Sequence, residues 1–118
     1  MLRIFEKIFG DKYDRHMKKA DKFYTNPISE ECWNLDWNFV KFMIPRLELF
    51  KKEASEIIEY DFSIVDKILE GFKLYEQKWE WDNNIDDLEE LKNVILKNNA
   101  IVDESIKLFA EHWKEFWW

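Results

Sequence analysis

Placed at 100° per residue, Asn34, Asn38, Lys41, Pro45, Glu48 and Lys52 fall on one narrow polar face. Trp33, Leu35, Trp37, Phe39, Val40, Met43, Ile44, Leu47 and Phe50 fill most of the remainder. This pattern predicts a helix over about residues 34–54 that is buried on more than one side. Pro45 lies on the polar face, and the apolar phase continues past it through Leu47, Phe50 and Ala54. The helix is therefore expected to bend at Pro45 rather than end there.

Glu53 to Asp61 is read as a connection, after which Ser63 opens a second amphipathic helix, about 63–80. Val65, Ile68, Leu69, Phe72, Tyr75 and Trp79 share its apolar face, and Gly71 falls toward its back, where it is tolerated rather than required. Trp81-Asp82-Asn83-Asn84 forms the next turn, with Asn84 or Asp86 as the cap of a third helix over about 85–116. Its main stripe is Leu88, Leu91, Ile95, Asn98, Val102, Ile106, Phe109, Trp113 and Phe116. A weaker one, Val94, Ile101, Leu108 and His112, predicts cover on a second side. Before Pro27, Leu2 to Phe9 and Lys12 to Tyr24 carry thinner apolar stripes separated by Gly10, which predicts two short helices. In the sequence Thr25-Asn26-Pro27, Asn26 is expected to cap the helix that follows, with a short turn over Ile28 to Cys32 as the alternative start.

These elements predict a single all-α domain, 1–118, with a basic helical segment at 1–26 and a bundle at 27–118. The bundle has three principal helices, with one or two short N-terminal helices packed against it. Composition agrees: 47% apolar and 18% aromatic residues can sustain a core, while two Gly and two Pro leave too few turn residues for a β-rich fold. One cysteine, Cys32, excludes an internal disulfide and a cysteine-based zinc site. No long uncharged apolar run suggests a membrane span, so a cytoplasmic location is expected. The net charge of −7 divides into +3 over residues 1–24 and −10 over the rest. That balance disfavours nucleic acid as a partner.

Candidate chemistry is sparse. Di-metal bundles need Glu-x-x-His pairs, but Tyr13 precedes His16 and Phe109 precedes His112. The Glu-x-x-Glu spacing at Glu53, Glu56 and Glu59 is half of the magnesium motif of helical nucleotide pyrophosphatases, and its other half is missing. No catalytic residue, metal ligand or cofactor is assigned. Two ionisable residues interrupt the apolar part of the first principal helix, Asp36 and Arg46. Asp36 has three readings: a helix cap, a buried polar contact with Arg46 or a lysine, or a ligand-site residue. Ten residues separate it from Arg46, about 15 Å along a helix, so the two do not touch directly. Trp113, Phe116, Trp117 and Trp118 form an aromatic C-terminal cluster, read as either core or interface.

Trp33-Asn34-Leu35-Asp36, Lys41-Phe42-Met43-Ile44-Pro45-Arg46-Leu47, Ile64 to Phe72 and Ser105 to Ala110 together resemble a group of small tailed-phage and prophage proteins. That group carries Trp-Ser-Leu-Asp, Phe-Ile-Pro-Arg-Leu, Leu-Asp-Lys-Met-Ile-x-x-Phe and Gly-Leu-x-Leu-Phe-Ala motifs. Asn34 replaces the Ser, and the usual Gly-Tyr-Pro loop is missing. The resemblance covers about residues 33–110 and implies phage origin without implying any activity. The leading functional reading is a non-enzymatic phage accessory protein that binds a host protein and inhibits a defence system. A nucleotide-signal sponge ranks second and a helical nucleotide hydrolase third. Candidate partner or ligand residues are Trp33, Asp36, Arg46, Trp113, Trp117 and Trp118.

The second stripe of the last helix and the aromatic C-terminus predict self-association, since two-fold dimers are the commonest oligomers. Sedimentation of the wild type should show a dimer that a chain ending at Lys114 does not form. A monomeric wild type, with the shortened chain equally folded and active, would exclude that role.

Overall fold

The computed structural model describes residues 2–116, with side chains from residue 10 onward. Their regular structure is helical, without a strand among them: α1 (Leu2–Thr25), α2 (Leu35–Ala54), α3 (Ser63–Glu76) and α4 (Leu88–His112). Single 3₁₀ turns occupy Ser29–Cys32, Lys78–Glu80 and Trp113–Glu115. The three principal helices thus lie where the hydrophobic periodicity puts them, although α3 ends at Glu76 rather than near 80 and α4 spans Leu88–His112 rather than about 85–116. The chain divides into two compact units, Met1–Asn34 and Leu35–Trp118, and each is described by itself.

In the N-terminal unit, the two short helices expected from the sequence are one helix of 24 residues. Gly10 does not interrupt it. A lone glycine costs a helix about 1 kcal/mol relative to alanine, too little to break it when residues on both sides favour the same conformation. Asn26 also acts in the opposite sense to the expected one. Its Nδ2 donates to the Lys22 carbonyl at 2.7 Å, and Thr25 Oγ1 donates to the Asp21 carbonyl at 2.7 Å, so both close the end of α1. The 3₁₀ turn beyond Pro27 is held by Glu31 Oε2, which accepts from the Ile28 N–H at 2.8 Å.

The larger unit is built on α3. Val65, Ile68, Leu69 and Phe72 are buried, and they join Val40, Ile44 and Leu47 of α2 in one core. Leu108 and Phe109 of α4 and Phe116 beyond it also pack against that core. α3 packs against both α2 and α4, while the backbones of α2 and α4 stay apart. Those two helices meet through Phe39 and Phe109, at 5.9 Å between ring centroids, and Phe50 of α2 meets Phe116 beyond α4 at 5.7 Å. α2 continues through Pro45 to Ala54, with Pro45 exposed, in accord with its place on the polar face. Surface pairs Lys51–Asp66 (2.5 Å) and Lys73–Glu48 (3.3 Å) also link α2 to α3. Exposed pairs of this kind contribute about 0–1 kcal/mol each, so packing decides the arrangement.

Gly71 reverses the sequence-based expectation. It is buried rather than at the back of α3, and it faces α4. A Cβ there would overlap Ser105 Oγ and Cβ and lie 3.0 Å from the Ile101 carbonyl oxygen. Ser105 is itself 1% exposed, and its hydroxyl is satisfied within α4 by donation to the Val102 carbonyl at 2.6 Å. Glycine on α3 and serine on α4 therefore set how closely the helices approach.

That contact also sets the rotation of α4. With Ser105 at zero on the wheel, Asn98, Ile101, Val102, Leu108, Phe109 and His112 lie within about 60° and are buried or half-buried. Leu88, Ile95, Ile106 and Trp113 lie at about 80–100° and are exposed. The buried face thus runs between the two predicted stripes, and the main one is only partly covered. α4 is capped by Asp87 rather than Asn84 or Asp86: its Oδ1 accepts from the Glu89 N–H at 3.1 Å. Asn84 has instead taken a turn position with φ of 64°, a left-handed conformation that Asn tolerates better than most residues.

Two glycine substitutions should separate these roles. Gly10→Ala should leave stability unchanged or raise it by up to about 1 kcal/mol. Gly71→Ala should lower it by about 1–3 kcal/mol through overpacking, and adding Ser105→Gly should recover part of that loss. Urea unfolding measures both. A Gly71→Ala protein as stable as the Gly10→Ala protein would refute the close-approach role. Phe72→Ala, which empties the core, should cost about 3–5 kcal/mol.

Candidate functional site

The C-terminal end of α3 leaves carbonyl groups that the helix cannot satisfy itself. Two tryptophans take them. Trp37 Nε1, from the first turn of α2, donates to the Glu76 carbonyl at 2.8 Å, and Trp81 Nε1 donates to the Leu74 carbonyl at 3.0 Å. These bonds fix the start of α2 and the turn after α3 around one helix end. They also explain why α3 stops at Glu76 rather than near residue 80: Trp79 sits in the 3₁₀ turn and is exposed.

Asp36 lies beside this end. Asp36 pairs with a lysine, but as an exposed residue and not in the buried contact expected from the sequence; α2 begins at Leu35, so Asp36 is in the first turn rather than at the cap. Its carboxylate accepts from the Tyr75 hydroxyl, and Lys78 Nζ stands 3.3 Å from the same oxygen. Lys78 Nζ is also 3.2 Å from the Tyr75 hydroxyl and lies over the Tyr75 and Trp79 rings at 4.5 and 4.8 Å. The Tyr75 hydrogen bond, followed by the Trp37 backbone N–H, holds the Asp36 carboxyl below its ordinary value. For Lys78, burial works to lower the ammonium pKa, but the bonds to Tyr75 and Asp36 outweigh it and the net shift is upward.

A cavity of about 300 Å³ opens next to this cluster, inside the larger unit. α2 supplies Asp36, Phe39 and Val40, α3 supplies Phe72 and Tyr75, and α4 supplies Asn99, Val102, Asp103, Ile106 and Phe109. A second depression of about 430 Å³ is lined by Lys78, Trp79, Trp81 and Asp82 with Leu91 and Ile95 of α4. Lys78 lines the second and bonds to two residues that line the first, so the two are neighbours along α4. The lining is apolar with carboxylates at its edges.

Arg46 is elsewhere. Its guanidinium lies over the Phe42 ring at 3.5 Å, and Nη1 donates to the Phe42 carbonyl at 2.8 Å on the exposed side of α2. Asp36 and Arg46 therefore do not share a site, because each is satisfied by near neighbours of its own. Trp33 is exposed and belongs to the N-terminal unit. Trp113 is exposed at the end of α4, and Trp117 and Trp118 lie outside the described residues. Among the described residues, no three His, Cys, Asp or Glu side chains are grouped to hold a metal ion. No helix among them is long and apolar enough to cross a membrane.

Sequence reasoning missed Tyr75, Lys78, Trp37, Trp81 and Asp103 as site residues. For Tyr75 and Trp37 a signal existed: a hydroxyl and an indole N–H on apolar faces both require a partner. Asp103 carried none, since an acidic residue on the polar flank of a helix is unremarkable until a groove forms beside it.

Because Asp36 is held below its ordinary value of 3.8, its contribution to stability is present above that pH and is lost as pH falls through the folded value. Asp36→Asn should therefore be less stable than wild type at neutral pH, by up to about 1 kcal/mol for so exposed a pair. The gap should close in acid below 3.8, as followed by urea unfolding across that range. A gap independent of pH would exclude the ionic role.

No protein-family model, no curated protein and no solved structure matches this chain, so its site is interpreted from its own geometry.

Proposed function

We propose that this chain is a non-enzymatic accessory protein that acts by binding another protein. The observation that supports this reading most is the set of large apolar side chains left exposed on the helical unit. Phe39 is 45% exposed, Ile106 51%, Trp113 57% and Trp79 64%, and they lie on or near the α2–α3–α4 groove and the end of α4. Aromatic residues at such positions are typical anchors of protein interfaces. The resemblance of residues 33–110 to tailed-phage proteins makes phage origin part of the proposal. A host protein in the bacterial cytoplasm is then the proposed partner, and inhibition of a defence system the proposed purpose.

A nucleotide sponge gains no support from the arrangement of cations. Phosphate recognition wants several convergent donors, whereas Arg46 is folded onto Phe42, outside the residues that line the groove, and Lys78 is engaged by Asp36. The groove's edges carry Asp36, Asp82 and Asp103, which repel phosphate.

Affinity capture from phage-infected host cells, using the full chain as bait and quantitative mass spectrometry as readout, tests the proposal. One host protein should be retained in near-stoichiometric amount, and the purified pair should reform in solution. Failure to retain any protein, together with saturable nucleotide binding by calorimetry, would overturn the reading in favour of a sponge.

A further inference from the structure

The proposed function leaves open what kind of surface on a partner this chain recognises, and the groove along α4 narrows it. Leu91, Ile95, Asn99, Val102, Ile106 and Phe109 follow one another at steps of three or four residues along α4. They line the two neighbouring depressions in turn, Leu91 and Ile95 the one, and Asn99 to Phe109 the other. The eighteen steps from Leu91 to Phe109 span roughly 27 Å at 1.5 Å per residue, the length of about five helical turns. The opposite wall is formed by Phe39 of α2 and by Trp79 after α3, both exposed. The floor is α3, on which α2 and α4 both pack while their backbones stay apart.

We propose that this groove is the docking site for an amphipathic helix of the partner whose apolar face is flanked by basic residues. Helical shape follows from the walls: they are helices, whose backbone groups are already bonded, and an added strand would find no edge to pair with. A helix laid between α2 and α4 would instead cover Phe39, Ile95 and Ile106 by side-chain packing. Basic flanks follow from the charge. Lys78 is matched to Asp36, which leaves Asp82 and Asp103 at the groove without a cation among its lining residues. Residues 25–118 carry −10 in all, so a basic partner is favoured at long range as well. The same charge disfavours a second copy on this face, because a two-fold contact would bring two copies of the same acidic surface together. This inference rests on the protein-binding reading and specifies its surface.

The test uses the full chain and a synthetic amphipathic peptide of leucine and lysine, about 18 residues or five turns long. Three comparisons accompany it: a leucine–glutamate peptide of the same pattern, a shuffled leucine–lysine peptide without an apolar face, and the variants Ile106→Ser and Asp103→Lys. Both variant positions are exposed, and circular dichroism verifies that the fold is kept. Titration is followed by tryptophan fluorescence at near-physiological salt. The patterned lysine peptide should bind at one to one, and each variant should weaken it about tenfold. Equal binding of the shuffled peptide would overturn the proposal by showing charge attraction alone. Equal binding of the glutamate peptide would overturn the basic assignment. If no peptide binds, or if a captured host protein binds both variants as tightly as the wild type, the groove is not the docking surface. In the second case the protein-binding reading survives, and in a capture experiment that retains nothing it fails separately.

Discussion

The larger unit depends on the contact between Gly71 of α3 and Ser105 of α4. It is a contact of small residues in a chain rich in large ones, and its effect is geometric. Without a Cβ on Gly71, α4 settles onto α3 until Ser105 is almost fully enclosed. Phe72, one residue away, then reaches Phe109 at 5.6 Å between ring centroids and Phe39 at 6.4 Å, so one aromatic side chain ties α3 to both neighbours. A larger residue at 71 would separate the helices and loosen these ring contacts together.

The same contact has a cost that becomes a property. Turning Ser105 toward α3 fixes the rotation of α4, and the apolar residues about 80–100° away are carried out of the core. Ile95, Ile106 and Trp113 are exposed for this reason, not because the sequence there is polar. With α2 also held against α3, the outward-turned flank of α4 becomes one wall of a groove. Burial of apolar surface contributes roughly 25 cal/mol per Å², so several large side chains left in water represent a substantial free energy still available to a partner.

The end of α3 is the second organising point. Trp37 and Trp81 supply the missing donors for its terminal carbonyls, and Tyr75 and Lys78 gather the Asp36 carboxylate. These bonds hold the first turn of α2 beside the groove. At the opposite end of the unit, the Tyr60 hydroxyl lies 3.3 Å from Glu115, and burial, reinforced by that carboxylate, pushes its pKa up to about 12. Polar contacts thus fasten the two ends, while the middle is held by packing of Val40, Ile44, Leu47, Val65, Ile68 and Leu69.

Helical class, the three principal helices, the course of α2 through Pro45 and the apolar face of α3 were legible in the sequence. Each follows from local periodicity, which depends only on neighbours along the chain. Asp36 was legible as an exception on an apolar face, but its partners were not, because Tyr75 and Lys78 stand 39 and 42 residues away. Gly71 was misjudged for a related reason: the wheel of α3 shows where its own apolar face points and says nothing of a second face that receives α4. Likewise, the main and weaker stripes of α4 leave its rotation open until Ser105 meets Gly71. The sequence by itself determined which segments are helical and which residues can be buried. Only the tertiary structure decided how close the helices come and how each is rotated, because those depend on the sizes of residues that meet across space, and from them follow the groove and everything exposed along it.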